Sequence, residues 1–283
     1  MRFYIKSPLL LLFILVSFCR ASGSTIQNVK FVSQGDTLAG TIIKPDHPFA
    51  AVVMVHGSGQ EKRMMEFAAV LAKNNIAVLT YDKRGVGASG GVYAGPEVGT
   101  NNIDSANLSL LSLDASAAVN TLVKHLATDQ VPVGLIGFSQ AGWIIPLAAR
   151  KNPNVRFMVL FSGPVVTARE QLRFQFFTQG DADFWDTHTE AEARKHIIGD
   201  ADRYSFADTD PRDALSKLSI PGLWLFGGKD IQIPTGLSIE RLNKLKSNNK
   251  RYAYKLFPAL GHNTAFSDVQ EPVQTAIRWM KAH

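Results

Sequence analysis

Cysteine is almost missing from this chain. Among 283 residues only Cys19 occurs, and a mature chain cut after it would have none. That excludes a disulfide framework, a thiol nucleophile and a cysteine-based metal site. No H-E-x-x-H string and no Walker-type phosphate loop is present, so neither a metal nor a nucleotide cofactor is expected. Charge is also sparse. Only 19% of residues are charged against 46% hydrophobic, a balance suited to a folded core and not to disorder. The formal charge of +6 drops to +3 without Arg2, Lys6 and Arg20. No basic stripe interleaved with aromatics occurs elsewhere, so nucleic acid is not an expected partner. There is no internal repeat and no low-complexity tract.

Long apolar runs are missing too, with one exception at the start. MRFYIKSPLLLLFILVSFCRASGS places a basic end before the ten-residue run Leu9 to Phe18, followed by small residues. Ten residues suit the core of a secretory signal, whereas a membrane span needs about 20. Residues 1–23 are therefore read as a signal peptide cleaved after Ala21 or Gly23. The mature chain is expected to be secreted or periplasmic, with no stable membrane insertion. Whether the signal is cleaved or kept as an anchor, and how many copies assemble, the sequence leaves open.

What is there is a rhythm. Asn28 to Ser33 and Thr37 to Ile43 read as a hairpin around Gly35-Asp36. Apolar runs then alternate with helical text. Strands are expected at Ala50–Val55, Ile76–Tyr81, Val133–Phe138, Phe157–Phe161, Leu223–Phe226 and Tyr252–Phe257. Helices are expected at Met64–Lys73, Asn107–Leu126, Ala141–Arg150, Leu237–Leu245 and Val269–Lys281. Continuous apolar strands separated by helices imply an α/β fold, its mostly parallel sheet covered on both faces. Between Pro164 and Leu218 the rhythm stops. The text there is polar and aromatic, with room for two or three short helices, and too long for a structureless loop. The expected organisation is a core of residues 24–163 and 219–283 carrying a helical cap insertion at 164–218.

Gly137-Phe138-Ser139-Gln140-Ala141 sets a serine on a strand-to-helix corner. A turn that tight strains the serine backbone, lifts Oγ clear of the sheet and turns the next amide toward the same space. A serine needs a base, and the base needs an orienting group. Of seven histidines, His262 alone lies in the loop between the last strand and the last helix, where open α/β sheets carry function. Asp230 ends Leu223-Trp224-Leu225-Phe226-Gly227-Gly228-Lys229-Asp230, just past a strand tip and one element before His262; Glu170 and Asp268 compete for its role. His56-Gly57-Ser58-Gly59 follows a strand, and the amides of Ser58 and Gln140 are read as an oxyanion hole, with His56 structural. Gly85 to Gly90 satisfies G-x-G-x-x-G, but further glycines follow where a helix should start, so it reads as a turn-rich loop held by Asp82 and Arg84. Phe174, Phe177 and Trp185, with Phe176 and Phe184 nearby, could line an apolar acyl pocket or form the cap's own core.

Together HGSG, YDKRGVGASGG, GFSQAGW, GGKD and LGHN, in this order and spacing, resemble the α/β-hydrolase superfamily. The nearest branch is similar to the serine aminopeptidase-like and prolyl-oligopeptidase-like esterases. The resemblance spans roughly residues 27 to 281 outside the cap. It implies an eight-stranded sheet with the cap inserted after the sixth strand. It also implies Ser139 as nucleophile, Asp230 and His262 as its partners, and Ser58 and Gln140 as oxyanion donors. Ala141 stands where the family has glycine. The expected activity is hydrolysis of a small ester through an acyl-enzyme. A peptide-like substrate is the alternative, and a silent ligand-binding protein a more distant one.

Overall fold

A computed structural model describes residues 23–94, 100–126 and 130–283. The expected leader, including Cys19 and the junction after Ala21, lies outside the described residues. The chain opens on a hairpin of β1 (Ser24–Ser33) and β2 (Asp36–Pro45). Its turn is centred on Gln34-Gly35, one residue earlier than the sequence reading, because both residues take left-handed backbone (φ 50° and 85°) that matches the twist of the strands. β3 (Ala50–Val55), α1 (Met65–Lys73), β4 (Ile76–Tyr81), α2 (Thr100–Ile103), α3 (Ser105–His125), β5 (Val133–Phe138), α4 (Ala141–Lys151) and β6 (Val155–Phe161) follow. After four helices, α5 (Ala168–Thr178), α6 (Phe184–Thr187), α7 (Glu190–Gly199) and α8 (Pro211–Leu215), the sheet resumes. β7 (Gly222–Gly227), α9 (Thr235–Ser247), β8 (Tyr252–Phe257) and α10 (Glu271–Ala282) complete the chain.

The eight strands form one sheet in the order β1-β2-β4-β3-β5-β6-β7-β8. β2 is antiparallel to both its neighbours, and β4 through β8 run parallel. β3, β4, β5 and β7 are buried along their whole length, which is why they read as unbroken apolar runs rather than alternating ones. Side chains of α3, α4 and α9 cover one face, and those of α1 and α10 the other. α10 shows how the sequence encodes this: Val273, Ala276, Ile277 and Met280 fall on one helical stripe and are all buried.

The order of strands places the site. From β3 the chain steps outward to β4, then crosses back to add β5 on the other side of β3. The loops leaving β3 and β5 therefore diverge from adjacent strand ends, the crevice where open sheets bind ligands. The α5–α8 segment enters from the end of β6, beside it.

Candidate functional site

Ser139 is the first residue past β5 and holds a left-handed backbone, φ 50°. Its amide is anchored to Phe161 O at 3.0 Å, so the corner is tied to the neighbouring strand. Space explains the small residues around it. A methyl on Gly137 would sit 2.5 Å from Ala141 Cβ, and one on Gly142 would sit 2.3 Å from Pro164 Cδ. Ala141 is fully buried against the bare Gly137. The close helix approach that would require glycine at 141 is thus met one residue later, where Gly142 passes under Gly163-Pro164.

Asp230 and His262 come together past β7 and β8. His262 Nδ1 and Asp230 Oδ2 are 2.8 Å apart, and Asp230 is completely buried. Its other oxygen accepts from the amides of Gln232 (2.7 Å) and Ile233 (2.9 Å). These two bonds fix the carboxylate in place behind the ring. Leu260 and Gly261, which precede the histidine, press on β7: a methyl on Gly227 would lie 2.1 Å from Gly261 O. With Nδ1 engaged, Nε2 is the ring nitrogen left for chemistry.

Ser139 and His262 line one cavity of about 190 Å³, together with Gly57, Ser58 and Glu61. Among the described residues no hydrogen bond joins Ser139 Oγ to the ring. Such contacts are often open without substrate and tighten when it binds. Glu170 and Asp268, the competing acids, lie elsewhere. Glu170 closes a capping box on α5 and pairs with Arg241, and Asp268 is exposed in the loop before α10.

The Ser58 and Gln140 amides donate to no described residue, and both residues border the space beside Ser139. A buried polar cluster holds their loops. Lys83 Nζ donates to Gly57 O (2.6 Å), Gly59 O (3.3 Å) and Gln140 Oε1 (3.1 Å). Tyr93 Oη and Asn102 Nδ2 donate to Ser58 O. Gly57 O shares a peptide unit with Ser58 N–H, so the Lys83 bond sets the direction of that amide. Burial lowers the Lys83 pKa to about 8, partly countered by Glu61. Burial raises that of Glu61, whose carboxylate accepts from Gly57 N. His56 is buried, donates from Nε2 to Tyr81 O at 2.6 Å, and is held neutral, its pKa lowered to about 3 by burial and then by Lys83. The Gly85–Gly90 loop is a pinned turn: Asp82 accepts from Ala88 N and pairs with Arg63, and Arg84 pairs with Asp114 and Asp36.

The aromatic residues of the insertion do not face Ser139. Phe174 and Phe184 are buried in a cluster with Phe177 and Trp185, and Trp185 Nε1 donates to Asp230 O at 2.9 Å. Phe174, Phe177 and Trp185 therefore form the insertion's own core, and Gln171, Leu172 and Gln175 of α5 take the wall beside Ser139. Two further features escaped the sequence reading. Ser162, at φ 48°, donates from Oγ to His262 O at 2.6 Å. Lys83 and Glu61 meet from separate loops. A serine at a strand end flags the first only weakly, and nothing in the sequence flags the second. Among the described residues no His, Cys, Asp and Glu side chains group as a metal site.

The chain's comparisons agree with this architecture. Residues 46–187, half of the chain, match the family described as serine aminopeptidase, S33. Comparison with curated proteins returns no match. An esterase of Pyrococcus furiosus superposes with a TM-score of 0.63 at 17% identity, covering 92% of this chain and 91% of that one. An acylaminoacyl peptidase of Pyrococcus horikoshii gives 0.65 at 16% identity, over 93% of this chain but 41% of the larger protein. A dienelactone hydrolase of Anabaena variabilis gives 0.58 at 18%, over 92% and 98%. At such identities these likenesses concern the fold, while the family match concerns the sequence, and on that match the chain belongs to the serine aminopeptidase S33 family of α/β-hydrolases.

Proposed function

We propose that the protein is a serine hydrolase that cleaves a carboxylic ester through an acyl-enzyme on Ser139. The observation that carries this reading is His262, paired with Asp230 at 2.8 Å and lining one cavity with a strained serine. His262 Nε2 takes the hydroxyl proton as Oγ bonds to the carbonyl carbon. The Ser58 and Gln140 amides receive the negative oxygen. The carbon–oxygen bond to the alcohol then breaks, and His262 returns the proton to the leaving oxygen. Water, deprotonated by the same ring, releases the acid. Asp230 fixes the tautomer and stabilises the imidazolium. No cofactor takes part. The basic and apolar leader supports action outside the cytoplasm.

The runner-up is a peptidase or amidase on the same residues, favoured by the family's description and by the acylaminoacyl peptidase likeness. A free peptide amine would want a carboxylate near Ser139. Among the described residues Glu61 is the one acid lining the cavities that border Ser139, and it is engaged with Gly57 N. Glu170 is paired with Arg241, and Asp181 accepts from Asp183 N in a surface turn. Ester hydrolysis is therefore ranked first. Comparing p-nitrophenyl acetate with amino-acid p-nitroanilides tests the ranking. Ester turnover lost in Ser139→Ala, with negligible anilide turnover, is expected. Faster anilide cleavage would reverse it.

A further inference from the structure

Two spaces meet at Ser139; they share Ser58 and Gln232 in their walls but differ in size and in the rest of their lining. The first, about 190 Å³, is shared with His262. The second, about 20 Å³, is bordered by Ser58, Ser139 and Gln140, but not by His262. α5 closes it with Gln171, Leu172 and Gln175, and α4 with Trp143. Chemistry assigns their occupants. The ring that protonates the leaving oxygen must stand beside it, so the space containing His262 holds the alcohol. The other, against the two amides, takes the carbonyl oxygen and the start of the acyl group bound to the same carbon.

Building on the ester-hydrolase reading, we infer that the substrate is a short acyl ester, acetyl-sized, of a large apolar alcohol. The slot, about 20 Å³ against about 190 Å³ on the other side, suits a short acyl group and not a long chain. Leu172 and Trp143 belong to the packed core on that face of the sheet, which limits how far the slot can open. On the alcohol side the cavity does not end. Ala265 and Phe266 line both it and a groove of about 680 Å³, within the size range of small-molecule sites. Met64, Met65, Phe67, Val70 and Val273 supply that groove's apolar wall, with Arg63, Glu66, Ser267 and Gln270 also bordering it. Phe266 stands where the two spaces join, 55% exposed, its ring 4.9 Å from that of Phe138 and 5.5 Å from that of Phe67. An exposed phenyl ring continuous with a nucleophile's cavity is a surface for an apolar alcohol to cover.

Two substrate series test this on the mature protein. With a shared leaving group, kcat/KM should fall at least tenfold from p-nitrophenyl acetate to p-nitrophenyl octanoate. With a shared acetyl group and alcohols of similar acidity, octyl acetate should exceed ethyl acetate at least tenfold. Gln175→Ala, which widens the slot, should raise the octanoate-to-acetate ratio. Phe266→Ala should lower the octyl-to-ethyl ratio through KM. Octanoate as good as acetate, or no gain from octyl acetate, would overturn the assignment. Fluorophosphonate labelling separates the two levels. Labelled Ser139 with reversed chain preferences rejects this inference alone, and folded wild type that resists labelling rejects the serine hydrolase reading with it.

Discussion

Ser162 holds the His262 loop through its hydroxyl, which meets His262 O at 2.6 Å and Thr264 Oγ1 at 3.1 Å. Its hydroxyl reaches the His262 carbonyl from a left-handed backbone position that a non-glycine residue adopts at some cost. It touches no reacting atom, so its effect is on position. Ser162→Ala should lower kcat roughly tenfold with KM nearly unchanged, since small displacements of a base erode rate more than binding. Equal kcat values for variant and wild type would remove that role. Asp230→Asn keeps the ring's neighbour but not its charge or tautomer, and a loss of about four orders of magnitude in kcat is expected. Among the described residues nothing pairs with the buried Oε1 of Gln171, so Gln171→Met should raise stability by about 1 kcal/mol in urea unfolding. Ser139, Asp230 and His262 were legible because each follows an apolar strand and sits among small residues. Ser162 was not, because its signal is a backbone angle and a partner a hundred residues away.

The α5–α8 insertion shows where pattern reading stops at the scale of elements. Two or three helices were expected, and four are present. The signals lay in the text: Thr167 with Glu170 and Thr189 with Glu192 are capping boxes, and Asp210-Pro211 opens the last helix. Thr167→Ala should destabilise the protein by about 1 kcal/mol, measured by denaturant unfolding. Which face of α5 meets the site was not legible. Phe174 and Phe177 lie a turn apart and pack on Phe184 and Trp185, while Gln171 and Gln175, one helical turn apart, stand beside Ser139. An aromatic stripe says that something is buried. It does not say whether the partner is substrate or the next helix.

Over the whole molecule, buried charge beside the strand ends couples stability to pH in two windows. Burial pushes the Asp82 carboxyl up, but hydrogen bonds from Arg63 and from the Ala88 amide outweigh it and hold its pKa at about 2, below the ordinary 3.8. Its contribution, on the order of 2 kcal/mol, is present above pH 4 and lost as pH falls toward 2. For Lys83 the sign is opposite. Its folded pKa of about 8 lies below the ordinary 10.5, so between those values the unfolded chain binds more protons and stability rises with pH. Unfolding free energies of wild type and Lys83→Met should differ in slope across pH 8–10.5 and run parallel below it. Parallel curves throughout would show that the amine is not buried as described. The sheet itself was legible, since fully covered strands must read as apolar runs. The Lys83–Glu61 contact, from Lys83 N to Glu61 O at 3.0 Å, was not, because it joins loops that only the strand order brings together. The most direct test of the account is to treat the mature protein with a fluorophosphonate and locate the adduct by peptide mass spectrometry. The account predicts one adduct, on Ser139, that disappears in His262→Ala. An adduct on another residue, or unchanged labelling without His262, would contradict it.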